Sequence, residues 1–314
     1  KVPAVIPDPP PAVATSASMG ITFSSLGYTA PEEMLRDADT AMYRAKASGK
    51  ARCALFDAAL HTEVSNRLQL ENDLRAAIAQ ETLDIVYQPL VHIGNGRLRG
   101  FEALTRWNHP TRGPIPPSIF IPIAEESGLI IELSDLVLVR ACRQLRLWQE
   151  IDPSLRDLKL QVNMSAADLA HSALFERVAR ALRSTHFTPH LLTLELTESI
   201  LMTGVESALP ALDALRRLGV SLAIDDFGTG YSSLSYLSTL PIDSLKIDRS
   251  FVHGMRLGSK DAEIVRAIVS LGATLGKSVV AEGIETVSQL AQLRELGCEH
   301  GQGFHLSQPL TAAD

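Results

Sequence analysis

From Leu83 onward the chain alternates short apolar runs with amphipathic stretches, and this rhythm restricts the fold more than any other feature. Strand-like runs fall at 83–91, 98–107, 158–164, 192–196, 221–224, 244–247, 278–281 and 301–306. Helical periodicity separates most of them, at 133–150, 173–183, 208–218, 262–275 and 287–296. Such alternation predicts an α/β fold with a mostly parallel sheet. Eight strands within about 230 residues suit a closed (β/α)8 TIM-like barrel better than an open sheet. The first two runs are joined through Gly94-Asn95-Gly96, a hairpin signal, so that pair should be antiparallel. The barrel is therefore expected to depart from the all-parallel pattern at one strand.

The 314 residues leave room for a smaller piece before the barrel. Residues 1–14 are Pro-rich and read as a linker. Residues 15–57 follow as one strand-like run near 16–24 and one helix. Thr29 is the expected N-cap of that helix; Met34, Ala38, Ala41, Met42 and Ala45 form its apolar stripe, and Gly49 ends it. One strand and one helix cannot build a core, so this stretch reads as the end of a larger domain. A connecting helix is expected over 58–80, overlapping the start of the main domain at 66–314.

A net charge of −7 argues against a duplex nucleic-acid partner, which needs a basic surface. Cys53, Cys142 and Cys298 form no C-x-x-C pair and read as reduced thiols of a cytoplasmic protein. No apolar stretch reaches the roughly 18 residues of a membrane span. An anchor upstream of Lys1 is left open.

Polar residues recur at or just past the strand ends: Glu102 and Arg106, Asn163, Glu195 and Glu198, Asp225 and Asp226, Lys246 and Asp248, Glu282 and Glu285, then Gln302. In a βα barrel those ends converge on one face, so residues scattered over the sequence would share one pocket. Several carboxylates in one pocket repel each other unless cations intervene. An all-oxygen set without Cys or His selects hard ions such as Mg²⁺ or Mn²⁺. The adjacent pair Asp225-Asp226 could serve two ions about 3.5–4 Å apart, an arrangement suited to phosphodiester hydrolysis. Lys246, the lone cation among these acids, could hold a water or developing charge.

Taken singly, each motif has an ordinary explanation. Glu102-Ala103-Leu104 recurs by chance in helices. Asp225-Asp226-Phe227-Gly228 could be a turn, and its Asp-Phe-Gly lacks the other protein-kinase segments. Gly301-Gln302-Gly303 lacks the third glycine of a dinucleotide fingerprint.

The ordered segments YQPL (87–90), FEALTRW (101–107), FIPIAEESGLI (120–130), QVNMS (161–165), ELTES (195–199), DDFGTGYSSL (225–234), LKIDRSF (245–251), VVAEGIET (279–286) and GQGF (301–304) resemble the EAL domain of bacterial cyclic di-GMP phosphodiesterases. The resemblance implies hydrolysis of cyclic di-GMP to linear pGpG, with two ions of Mg²⁺ or Mn²⁺. It implies Glu102, Asn163, Glu195 and Asp225 as ligands of one ion. Asp225, Asp226 and Glu282 would hold the second, Asp225 bridging. Lys246 would contact the attacking water, so that Lys246, Glu102 and Glu282 carry the catalytic roles. Gln88, Arg106, Glu285 and Gln302 would line the substrate pocket. Glu198 and the loop containing Phe227, Gly228, Thr229, Gly230 and Ser233 would support the metal site and join it to a homodimer interface. His305 and Gln308 depart from the family's usual apolar and basic residues. Residues 15–57, through SMGIT and ADTAMYRAKASGK, are similar to the end of a GGDEF domain whose signature is absent. The chain thus reads as part of a longer tandem regulator. Two other readings stand beside this one: a catalytically silent cyclic di-GMP receptor, and a barrel enzyme using Lys246 as a Schiff-base amine.

Overall fold

The structure, a computed structural model, describes residues 16–56, 58–202, 205–230 and 234–314. The Pro-rich stretch 1–14 and Ser233 lie outside the described residues. The chain divides into two compact units, Lys1–Asp73 and Leu74–Asp314.

In the first unit, β1 (Met19–Ile21) and β2 (Cys53–Leu55) pair in parallel, with the crossover helix α1 (Pro31–Ala47) between them. Gly20 lets helix and strand approach closely: a Cβ there would sit 1.9 Å from the Ala38 carbonyl oxygen. Ala41 and Ala45 of the expected stripe are fully buried. The N-cap is Ala30, one residue later than expected. The cause is Glu33, whose carboxylate accepts from the Thr29 and Ala30 amides at 3.0 and 3.3 Å and from the Thr29 hydroxyl at 3.2 Å. That bond does the work otherwise left to a cap side chain. β2 was not anticipated; three residues are too few to show a period. The helix α2 (Ala58–Ala79) leads from this unit into the second.

The second unit is the expected barrel. β3 (Asp84–His92) and β4 (Leu98–His109) form an antiparallel hairpin. The Gly96 amide closes its turn on the His92 carbonyl at 2.8 Å. Parallel strands then follow in order: β6 (Lys159–Asn163), β7 (Leu192–Thr197), β8 (Ser221–Phe227), β9 (Ser244–Ile247), β10 (Ser278–Ala281) and β11 (His300–Gly301). β11 returns to β3 antiparallel, so β3 is the one reversed strand of a closed eight-stranded barrel. A short strand β5 (Gly113–Ile115) pairs outside it with the end of β4.

Around the barrel run α3 (Pro117–Ser127), α4 (Ile130–Ile151), α5 (Ala166–Ala170), α6 (Leu174–Thr185), α7 (Glu198–Met202), α8 (Val205–Leu218), α9 (Leu234–Thr239), α10 (Arg249–Gly254), α11 (Lys260–Leu275) and α12 (Val287–Glu295). The five helices anticipated from periodicity are α4, α6, α8, α11 and α12. The helix α3 was missed because Pro116, Pro117 and Pro122 argue against one. Pro117 instead occupies its first turn, where the absent N–H is not needed.

The last strand is shorter than the expected run 301–306 and starts one residue earlier, at His300–Gly301. Gly303 then packs against the neighbouring backbone, where a Cβ would lie 2.2 Å from the Ile284 nitrogen, and the chain turns away. No described helix is long and apolar enough to cross a membrane.

Candidate active site

Strand geometry fixes the site. Asn163 ends β6, Glu195 and Lys246 lie near the carboxyl ends of β7 and β9, and Glu102 lies within the long β4, opposite Gln161 of β6. Glu282 and Gln302 follow immediately after β10 and β11. Gln88 of β3 stands directly opposite Glu102 across the hairpin, so both face the same side.

Asp225 and Asp226 pose a steric problem, since neighbouring residues of a strand point to opposite faces. A bulge solves it. Ile224 pairs with Leu245 and Phe227 with Ile247, so the two aspartates stand against Lys246 alone. Asp226 adopts a left-handed φ of 53°, an uncommon conformation that aspartate tolerates. As a result one oxygen each from Asp225, Asp226 and Glu282 lies within 4.8 Å of the others.

Lys246 is fully buried at the centre. Its ammonium lies 2.7 Å from Glu282 Oε1, 2.8 Å from Glu195 Oε2, 3.3 Å from Glu102 Oε2 and 3.4 Å from Asp225 Oδ1. Burial alone would lower its pKa, yet the carboxylates Glu102, Glu195, Glu282 and Asp225 together hold it well above the usual value. A Schiff-base amine must be neutral, so this setting opposes that alternative.

The acids respond unequally. Glu102 accepts from Asn163 Nδ2 at 2.8 Å and Gln302 Nε2 at 2.6 Å. Against its burial, Lys246 and these two amides keep its pKa below the ordinary value. Glu195 is pushed well up by burial, against Lys246 and with the repulsion of Glu102, Asp225 and Glu282. Burial likewise lifts Glu282 to about 8, with Asp225 and Glu102 repelling it. Asp226 rises to about 6 through burial and the nearby charges of Asp225 and Asp248.

One ammonium cannot balance these acids, and acceptor capacity remains unused. Glu195 Oε1, Asp225 Oδ1 and Gln302 Oε1 are buried with no hydrogen-bond partner; Asp225 Oδ1 is near Lys246 but not aligned with it. Buried oxygens without hydrogen-bond partners are costly. Hard divalent cations would satisfy them, so the residues present fit the expected ions.

Beside the cluster opens a cleft of about 400 Å³. It brings together Gln88, Arg106, Glu285 and Gln302 with Glu102, Asp226 and Glu282. Gln302 faces the acids as well as the cleft, since its amide also donates to Glu282 Oε1 at 3.1 Å. Arg106 Nη1 donates to the Thr105 carbonyl at 2.9 Å. Glu285 sits toward the rim, its carboxylate 3.4 Å from the His253 ring. Arg249 and Phe304, which the sequence reading did not single out, also line the cleft. Both lie inside segments that carry the family resemblance, Arg249 in LKIDRSF and Phe304 in GQGF.

Glu198 is buried and accepts from the Gly228 and Gly230 amides at 2.8 and 3.3 Å. Gly228 has φ 102°, and a Cβ on Gly230 would come 2.8 Å from Glu198 Oε1. The Thr229 hydroxyl donates to the Asp226 carbonyl at 2.9 Å, and Phe227 is buried. The loop is thus tied to the bulge on one side and to Glu198 on the other.

Comparison with known proteins agrees with this architecture. The family described as "EAL domain" matches residues 71–309. A bifunctional diguanylate cyclase/cyclic di-GMP phosphodiesterase, MucR of Pseudomonas aeruginosa, is 44% identical over 300 residues, 96% of this chain and 44% of that protein. The cyclic di-GMP phosphodiesterase PdeR of Escherichia coli is 39% identical over 300 residues, 96% of this chain and 45% of that protein. The chain therefore spans less than half the length of these curated relatives. Among solved structures, the PaMucR phosphodiesterase in complex with c-di-GMP has a TM-score of 0.75 at 46% identity, covering 78% of this chain and 98% of that one.

Proposed function

The chain belongs to the EAL domain family, and on that premise we propose that it hydrolyses cyclic di-GMP to linear pGpG with two divalent cations, Mg²⁺ or Mn²⁺. The observation that carries the proposal is the charge imbalance at the strand ends. One buried ammonium faces four carboxylates, and two of those acids hold oxygens without a hydrogen bond.

In this reading Glu102, Asn163, Glu195 and Asp225 hold one ion, and Asp225, Asp226 and Glu282 hold the other. When bound, the ions supply Lewis-acid stabilisation of the phosphorus under attack and activate the water. The bulge at Asp225-Asp226 presents both carboxylates from one strand. The Lys246 ammonium, kept protonated by its neighbours, is a fixed donor toward the attacking water. Arg106 offers a planar fork for a phosphate, and Gln88 and Glu285 offer polar contacts for the rest of the nucleotide. The ties from Glu198 to Gly228 and Gly230 hold the loop after the bulge. In the homodimer implied by the family resemblance, that loop would relay partner contact to the site. Residues 15–57 would be the remnant of a GGDEF domain, and the compartment would be the cytoplasm.

The receptor alternative would fit a site with missing ligand residues, and this chain has all of those expected. Chromatography of products after incubation with cyclic di-GMP and each metal tests the proposal. Formation of pGpG only when metal is present is expected. Retained cyclic di-GMP binding with no product under any metal would instead establish a receptor.

A further inference from the structure

We propose that Asp168 is a positioning residue for Asn163, fixing the β6–α5 loop so that the Asn163 side chain stays aimed at the cation site. The inference rests on the reading of Asn163 as a cation ligand.

Asp168 is completely buried, although it lies only five residues beyond Asn163 on a short helix. Its carboxylate is engaged on both oxygens. Oδ2 accepts from the Ser165 amide at 3.0 Å, the Ser165 hydroxyl at 2.7 Å and the Ser134 hydroxyl at 2.7 Å. Oδ1 accepts from Arg177 Nη2 at 2.8 Å. Arg177 is itself buried, and bonds the Ile131 carbonyl at 2.9 Å and Asp135 at 2.8 Å. The Ser165 hydroxyl lies 3.1 Å from the Asp168 amide, completing a reciprocal capping box.

A capping box alone would account for the start of α5. It would not account for a fully buried carboxylate joined to a buried guanidinium, an expensive pairing that needs complete hydrogen bonding to persist. The knot ties α4, α5 and α6 together directly behind the loop 163–165.

A cavity of about 420 Å³ adjoins the same loop, lined by Asn163, Met164, Ser165 and Ala166 together with Leu133 and Ser134 of α4. It leaves space beside the loop, so the hydrogen bonds that hold Ser165 and Met164 carry much of the loop's positioning. Met164 is secured to β7, its amide donating to the Glu195 carbonyl at 2.9 Å. Ser165 is secured by Asp168. Asn163 is held between them and gives its amide to Glu102. Loss of the Asp168 bonds would free the loop to relax into the cavity and move Asn163 with it. Partners that orient metal ligands commonly change affinity or activity about 10–100-fold when removed.

The test uses the full chain with Asp168→Asn and Ser165→Ala, and Mn²⁺ alone as the first probe. Both variants should raise the Mn²⁺ concentration that gives half the thermal shift, Asp168→Asn by about ten-fold. Turnover of cyclic di-GMP should fall at low Mn²⁺ and recover as Mn²⁺ is raised, with KM little changed. Ser134→Ala removes a donor from the α4 side only, and should lower thermal stability without moving the Mn²⁺ half-point. An unchanged half-point in Asp168→Asn, with only the metal-free melting temperature reduced, would overturn the inference. Should that variant not fold, the same readings on Ser165→Ala decide it. Asn163→Ala separates the two claims. A shifted half-point there with none in Asp168→Asn refutes positioning alone, whereas no shift in Asn163→Ala refutes the ligand reading and the inference with it.

Discussion

Among the described residues, two ionic clusters each hold a buried cation, one at the strand ends and one among the surrounding helices, and they are built on opposite principles. Behind β6, Arg177 meets Asp168 and Asp135, and every oxygen of Asp168 is satisfied; the leftover group is a donor, Arg177 Nη1. At the strand ends, Lys246 meets Glu102, Glu195, Asp225 and Glu282, and the leftover groups are acceptors. The first cluster is nearly self-sufficient and ties helices together. The second holds more acid than its one ammonium balances, and the proposed cations would answer that excess. Burial by itself does not distinguish structure from function here, but the sign of what is missing does.

The contrast is most exposed to Lys246→Ala. Removing the ammonium should lower kcat by about 10²–10³-fold while cyclic di-GMP binding persists. Glu102→Ala should abolish turnover and weaken Mn²⁺ binding, checked by product formation and Mn²⁺-induced thermal shift; full activity in that variant would contradict the ligand assignment. The other cluster should answer differently. Arg177→Met should cost about 3–5 kcal/mol of stability in denaturant titration, because Asp168 is left as an unpaired buried charge. Its turnover per folded molecule should fall far less than that of Lys246→Ala.

The clusters also separate by pH. Glu282 rises from an ordinary 4.5 to about 8 in the folded, metal-free chain, and Glu195 shifts the same way. A carboxyl with a raised folded pKa binds its proton more tightly when folded. Its contribution is fully present below its unfolded pKa and is lost as pH rises through the folded one. The metal-free melting temperature should therefore decline between about pH 5 and pH 8. Glu282→Gln should flatten that decline, whereas Arg177→Met should lower the curve without changing its slope. An equal slope in wild type and Glu282→Gln would show that Glu282 does not carry the linkage.

The strand-end cluster was largely legible in the sequence, because a period of alternating strands and helices places residues such as Glu102, Asn163 and Lys246 without any knowledge of contacts. Lys246 read alone is as readily a solvated lysine; its place among the strand-end acids singled it out, and its burial within Ser244–Ile247 came from the structure. The bulge was not legible, since nothing in Asp225-Asp226 announces a pairing of two residues against one. Nor was the Arg177 knot. Ser165 and Asp168 read locally as a helix cap, and Arg177 as one more charge on an amphipathic helix; their union depends on how α4, α5 and α6 pack. The run 301–306 misled for a related reason, because its alternation is genuine but Gly303 meets the Ile284 backbone. Local pattern gave the face on which residues sit, and tertiary packing decided which of them met.

The central claim is that the strand-end cluster is completed by cations, and counting bound Mn²⁺ per chain tests it most directly. Equilibrium dialysis, or the loss of free Mn²⁺ signal in electron paramagnetic resonance, should show two ions bound per wild-type chain and a reduced count in Asp225→Ala. No binding at millimolar Mn²⁺, or a count unaffected by Asp225→Ala, would contradict it.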